Sequence, residues 1–325
     1  NYLYHEIDQY NILKSGREWF GERFELTTDQ IIRFNLSNIM DNTPIKVISD
    51  VMAQSFSNTS FNVFLNNIQI GQHTIASIPN AQYGVKGRHA VDTFLTTSSL
   101  VSAVGSNTQE LRYQYVKGTA ANAVGYLDYC LLQVKQQLRL YGTQTIFRSA
   151  ASLLQPVSKF EINQTNPQVL AWDITNPLEA RIQISSFSGS ATSFATPTAS
   201  LKQFIVFLPS APAPKLISPV PNQNLRGSSS PDLLIVTHPD FKSEAFRLKA
   251  HRESFNNLTV LVLTTVEVFN EFSGGKQDVT AIRDLAKHFY DKTPGKLKSL
   301  LLFGKGSYDY KDILRSEERR VGKEC

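Results

Sequence analysis

The sequence predicts a multidomain β plus α/β chain: a jelly-roll-like β-sandwich, a small second β domain, then an incomplete doubly wound parallel α/β subdomain. Three observations carry this prediction. Short apolar-polar alternations separated by turn residues fill roughly the first two thirds. A Pro-rich stretch follows them. Beyond it, continuous apolar runs alternate with helical patterns. At 325 residues, 41% hydrophobic and 19% charged, the chain is long enough for two or three domains and can bury a core.

Residues 1–153 read as the sandwich. Phe24–Leu26, Ile31–Leu36, Ile45–Ile48, Phe61–Leu65 and Leu111–Val116 each alternate apolar and polar residues. A strand places successive side chains on opposite faces, so alternation marks one buried and one wetted face. Asp41–Pro44, Asn66-Asn67, Lys117-Gly118 and Tyr141-Gly142 supply the turns. Tyr126–Leu138 is dense enough in apolar residues for a helix, but Tyr129, Val134 and the flanking Gly125 and Gly142 favour a strand. Residues 154–213 read as the second β domain, with runs at Val157–Ile162, Val169–Ile174, Ala180–Ile184 and Phe204–Leu208 and a turn at Asn176-Pro177. Residues 214–230 read as a Pro/Ser-rich linker.

Residues 231–314 change pattern. Leu233–Val236, Val260–Leu263 and Leu297–Phe303 are runs expected of strands buried on both faces. Phe241–Phe255 reads as a helix with Phe246 and Leu248 inward. Asp278 reads as the N-cap of a second helix reaching Tyr290, with Val279, Ile282, Leu285, Ala286 and Phe289 on one stripe. Strand–helix–strand–helix–strand is the grammar of a doubly wound parallel sheet, and three strands are few for one.

In such sheets ligands bind beyond the carboxyl ends of the strands. Thr237–Asp240, Thr264-Thr265 and Gly304–Tyr310 fall there, and His238, Lys305, Ser307 and Asp309 are the candidate crevice-lining residues. His238 suits an orienting group or a base, or a side chain bonded to its own turn. Gly304–Ser307 has glycines too close for a phosphate loop and reads as a tight turn. Asp309 is a metal ligand, an orienting carboxylate or a turn residue. Cys130 lies mid-strand among apolar neighbours with no His nearby in sequence, the setting of an inert buried thiol rather than a nucleophile. The six His are scattered, with no His/Cys set at metal-ligand spacing. These residues imply no cofactor.

The formal net charge is +5. Without the four bases and three acids of Arg315–Cys325 it is +4, and there is no dense basic stripe. That argues against nucleic acid. No apolar run approaches the length of a membrane span.

Three segments in order, Thr237–Phe241, Gln277–Asp284 and Leu300–Lys311, resemble the first half of the peptidase domain of gingipain-type cysteine peptidases. More narrowly they resemble the sortases of the type IX secretion system. Ser15–Glu22, Gly125–Tyr129 through Phe147-Arg148, and Trp172–Glu179 resemble the β region that precedes that domain, so the resemblance spans nearly residues 1–314. It implies a cysteine endopeptidase/transpeptidase that removes the C-terminal sorting domain of secreted cargo and joins the new carboxyl end to anionic lipopolysaccharide. It further implies outer-membrane secretion components as partners and a place at the outer face of the outer membrane. In that family the catalytic His and Cys follow the position of Gly304–Tyr310, so no catalytic residue is assigned here and the chain by itself is expected to be inactive. Lys305 stands where many relatives have Asp. Residues 315–325 match nothing in the family and read as a non-native tail. Two other readings compete: a non-catalytic cell-surface binding or scaffold protein with a degenerate α/β domain, and a nucleotide- or flavin-binding domain. The second needs a Gly-rich loop after the first α/β strand, where His238–Phe241 stands instead.

Overall fold

The computed structural model describes residues 1–16, 18–99, 107–210, 213, 215–216, 219–309 and 313–314. The expected tail at 315–325 lies outside these. The chain forms two compact units, Asn1–Ile7 with Phe20–Pro214, and Asp8–Trp19 with the chain from Lys215.

The first unit begins with β1 (Tyr2–Glu6), β2 (Arg23–Phe24), β3 (Asp29–Asn35), β4 (Pro44–Gln54), β5 (Thr59–Leu65), β6 (Ile68–Ile75), β7 (Arg88–Thr97), β8 (Thr108–Val116) and β9 (Val124–Gln133). One sheet runs β1-β9-β4-β7, with β2 also on β9, and the other runs β3-β8-β5-β6. Both sheets pack on one core that includes Phe24, Val47, Val51, Phe61, Leu111, Tyr113 and Leu127. The buried-exposed alternation of β3, β5 and β8 is the one expected. β9 is a strand, as its aromatic and β-branched residues favour. β6 and β7 have no counterpart in the sequence reading. Among the described residues each pairs on one side only, and their mixed, largely exposed faces carry a weak alternation.

The remaining strands of this unit are β10 (Gln144–Phe147), β11 (Val157–Asn163), β12 (Leu170–Asp173), β13 (Arg181–Ile182), β14 (Ser186–Ser188), β15 (Ala191–Pro197) and β16 (Phe204–Phe207). They form sheets β10-β16-β12-β13 and β11-β15-β14. Phe160, Phe194, Phe204 and Val206 pack between them, joined by Phe147. The boundary expected at 153 therefore falls inside this set, because β10 pairs with β16.

In the second unit β17 (Leu233–Thr237), β18 (Val260–Thr264) and β19 (Ser299–Phe303) form a parallel sheet ordered β18-β17-β19. The helices are α1 (Lys242–Asn256), α2 (Thr265–Phe272) and α3 (Val279–Lys292). Ala245 of α1 packs with Leu233, Ile235, Val260 and Val262 on one face. Val268, Phe269, Ile282, Leu285 and Phe289 of α2 and α3 cover Leu234 and Val236 on the other.

Three expectations are corrected. Phe246, expected inward, is 45% exposed, and Ala245 is the buried contact of α1. β19 is not buried on both faces. It pairs only with β17 among described strands, and its Leu300 and Leu302 remain 40% and 48% exposed. The linker expected at 214–230 is docked at its C-terminal end. The Glu271 carboxylate accepts from the Leu225 and Arg226 N–H groups at 2.8 Å each, and Leu225 enters the core. Among the described residues no helix is long and apolar enough to cross a membrane.

Candidate functional site

The strand order dictates where a crevice opens. From β17 the chain crosses α1 to β18, then returns through α2 and α3 to β19 on the opposite side of β17. α1 packs on one face of the sheet and α2 and α3 on the other, so the connections leaving β17 and β18 depart to opposite faces and the loops diverge at this edge. Register pairs Thr237 with both Thr264 and Phe303, so the three carboxyl ends are level. Thr237 is fully buried, and its Oγ1 donates to the Phe303 carbonyl at 3.0 Å, tying the ends of the two paired strands together.

His238 is the first residue beyond β17. Its Nδ1 accepts from the Asp240 N–H at 3.2 Å and caps the short Pro239–Phe241 turn, where Pro at the first position suits a helical start. The Asp240 carboxylate lies 3.4 Å from the same nitrogen. Accepting through Nδ1 puts the proton of the neutral ring on Nε2. On the β18 side, Thr264 and Glu267 form a reciprocal capping box at the start of α2. This helix is missing from the sequence reading, although Thr264-x-x-Glu267 is its start signal. Burial opposes ionisation of Glu267, yet the Thr264 N–H and hydroxyl and the Lys242 ammonium hold its carboxyl below the usual range.

The third edge is the loop after β19. Gly304 takes φ +147°, a conformation closed to most side chains. Lys305 is exposed and Ser307 half-buried. Asp309 is 2% exposed. Its N–H donates to Ser307 Oγ at 3.1 Å, and its carboxylate accepts from the N–H groups of Ile313 and Leu314 at 2.8 Å each. Asp309 thus holds the loop's shape through backbone amides. Tyr308 stacks on buried Trp19 at 6.1 Å between centroids and 18° between planes. So His238, Ser307 and Asp309 all sit at the strand ends, where each bonds its own turn.

Cys130 is in the core of the first unit, fully buried. Burial pushes its thiol up to about 12, so little thiolate exists near neutrality. Two polar clusters in that unit were invisible in sequence. Ser49 Oγ and His73 Nε2 lie 2.7 Å apart inside the sandwich, and His73 Nδ1 lies 2.6 Å from Asp92 Oδ2. Although this is the residue set of a hydrolytic triad, Ser49 and His73 are completely buried and no substrate reaches them. Asp50, His89 and Asp128 bring three ligand atoms within 4.8 Å of one another, a metal-ligating set that the scattered His positions did not reveal.

Residues 226–322 match peptidase family C25. The chain is similar to latent PorU from Porphyromonas gingivalis, whose crystal structure is dimeric, with 28% identity and a TM-score of 0.74 over 95% of this chain and 30% of that one. The chain therefore spans less than a third of PorU's length. It also aligns with the CBM36-1 domain of a multidomain xylanase from the hindgut metagenome of Trinervitermes trinervoides, at 8% identity and TM-score 0.25 over 41% of this chain and 97% of that one. The insecticidal delta-endotoxin Cry8Ea1 of Bacillus thuringiensis aligns at 13% and 0.25 over 34% and 19%. Scores this low bear on nothing further. No curated protein matches. By structure the chain is PorU-like, and its α/β unit falls in a cysteine-peptidase family segment.

Proposed function

We propose that this chain belongs to a sortase of the type IX secretion system. That enzyme would be a gingipain-type cysteine peptidase at the cell surface that removes the C-terminal sorting domain of secreted cargo and transfers the new carboxyl end to anionic lipopolysaccharide. The observation that carries the proposal is the likeness to PorU, which continues through both units at 28% identity and extends over 95% of the chain. The domain plan in this reading is a jelly-roll-like sandwich, a small second sandwich and the opening strands of a gingipain-like peptidase domain. The chemistry is acyl transfer. A Cys thiolate attacks the scissile carbonyl, a His moves the proton to the leaving amine, and an amine of the sugar anchor or water resolves the thioester. In this reading Cys130 takes no part, and the edge lined by His238, Lys305, Ser307 and Asp309 contributes walls of the substrate crevice rather than the reacting atoms.

The test is deletion of the gene in its source bacterium, followed by mass spectrometry of secreted cargo. The proposal expects cargo that retains its C-terminal sorting domain and lacks the lipopolysaccharide anchor, and reversal of both defects by the restored gene. Cargo trimmed and anchored normally without the gene would overturn it in favour of a binding or scaffold role.

A further inference from the structure

We propose that Asp50, His89 and Asp128 form a binding site for a divalent cation of the zinc type on the outer face of the first sandwich. The three residues come from β4, β7 and β9, three adjacent strands of one sheet. Register explains how they meet. Met52 pairs with His89 and Asp50 with Val91, so Asp50 and His89 are diagonal neighbours on one face. On the other side Asp50 pairs with Tyr129 but Val51 pairs with Leu127, leaving one extra residue on β9. That residue is Asp128. The bulge puts Asp128 and Tyr129, both half-buried, between the fully buried Leu127 and Cys130. A regular strand would send one of the two inward.

The set has the chemistry of a ligand sphere. Asp50 Oδ1 lies 3.0 Å from His89 Nδ1, and all three ligand atoms lie within 4.8 Å of each other. A zinc ion bound at about 2.0–2.2 Å by N and O ligands separates adjacent ligands by about 3.3 Å, so small side-chain rotations close the sphere. Asp50 is 8% exposed, and Phe20, itself buried, packs 5.5 Å from the His89 ring and orients it. Two carboxylates and one imidazole concentrate negative charge on this face. A bound cation neutralises that charge. The imidazole selects zinc or a similar first-row ion over calcium and magnesium, which prefer spheres made of oxygen. Three protein ligands leave further positions to water.

The experiment uses the whole chain, stripped with a chelator and titrated calorimetrically with zinc chloride and, separately, calcium chloride at pH 7.5. The expected result is one zinc ion bound per chain, with calcium at least tenfold weaker. His89→Ala and Asp128→Asn each weaken zinc at least tenfold, while His251→Ala, on α1 of the other unit, leaves it unchanged. Circular dichroism of each variant establishes that it is folded, and Asp128→Asn, on a half-exposed bulge, keeps the test available if His89→Ala misfolds. The absence of zinc binding in the wild type overturns the proposal. So does binding that survives both substitutions, or calcium binding as tight as zinc.

Discussion

Removing the Ser49 hydroxyl should loosen the first sandwich along its β6–β7 side. Ser49 of β4 and His73 of β6 belong to different sheets, so their 2.7 Å bond joins the sheets, and Asp92 of β7 completes the chain of bonds. His73 is fully buried, with its ring edge-on to Phe94 at 4.9 Å. Ser49→Ala strands a buried imidazole nitrogen, which costs about 1–3 kcal/mol. At about 2 kcal/mol, hydrogen-exchange protection of β6 falls roughly 30-fold. Burial lowers the affinity of His73 for a proton, and Asp92 and Asp50 only partly oppose it. The folded chain therefore binds fewer protons here than the unfolded chain. The stabilisation is complete above the unfolded value of about 6.5 and is lost as pH falls through it toward the lower folded value. His73→Gln, which does not titrate, should flatten this slope. Hydrogen exchange of Ile68–Ile75 by mass spectrometry, corrected for intrinsic rates at each pH, measures both effects. Unchanged protection in Ser49→Ala, or the wild-type slope persisting in His73→Gln, would refute the reasoning.

Two further outcomes follow from the described geometry. Cys130 should resist iodoacetamide at pH 8 in the folded chain and react readily in urea, because its buried thiol stays protonated; peptide mapping that finds Cys130 alkylated natively at the rate of an exposed thiol would contradict this. Glu271→Ala should strand the Leu225 and Arg226 N–H groups, cost about 1–3 kcal/mol and expose the 223–230 segment to limited proteolysis. Burial opposes ionisation of Glu271, yet those amides hold its carboxyl below the usual range. The same contact is therefore present above about pH 4.3 and fades as pH falls through the folded value, which proteolysis at pH 3.5 against pH 7 would show.

The sequence by itself determined what depends on neighbours along the chain. Strands that bury one face, such as β3, β5 and β8, declare themselves by alternation. β17 declares itself as a run buried on both faces. Asp278 caps α3 where its side chain reaches the Thr280 N–H two residues on. The ordered motifs around Thr237, Asp278 and Gly304 pointed to the peptidase family that residues 226–322 match. What only the tertiary structure decided involves residues far apart in sequence. α2 has only eight residues, too few for a legible stripe, and its start shows in Thr264 and Glu267 alone. The inward side of α1 is carried by Ala245 together with Leu248, which pack on β17 and β18, while Phe246 is 45% exposed. Glu271 claimed the end of the linker across 45 positions. The Asp50–His89–Asp128 cluster needs two strand registers and a one-residue bulge, and a single slip in either pairing would turn its members to opposite faces. Local alternation specifies which face a residue occupies, whereas only the assembled sheet specifies which residues share it.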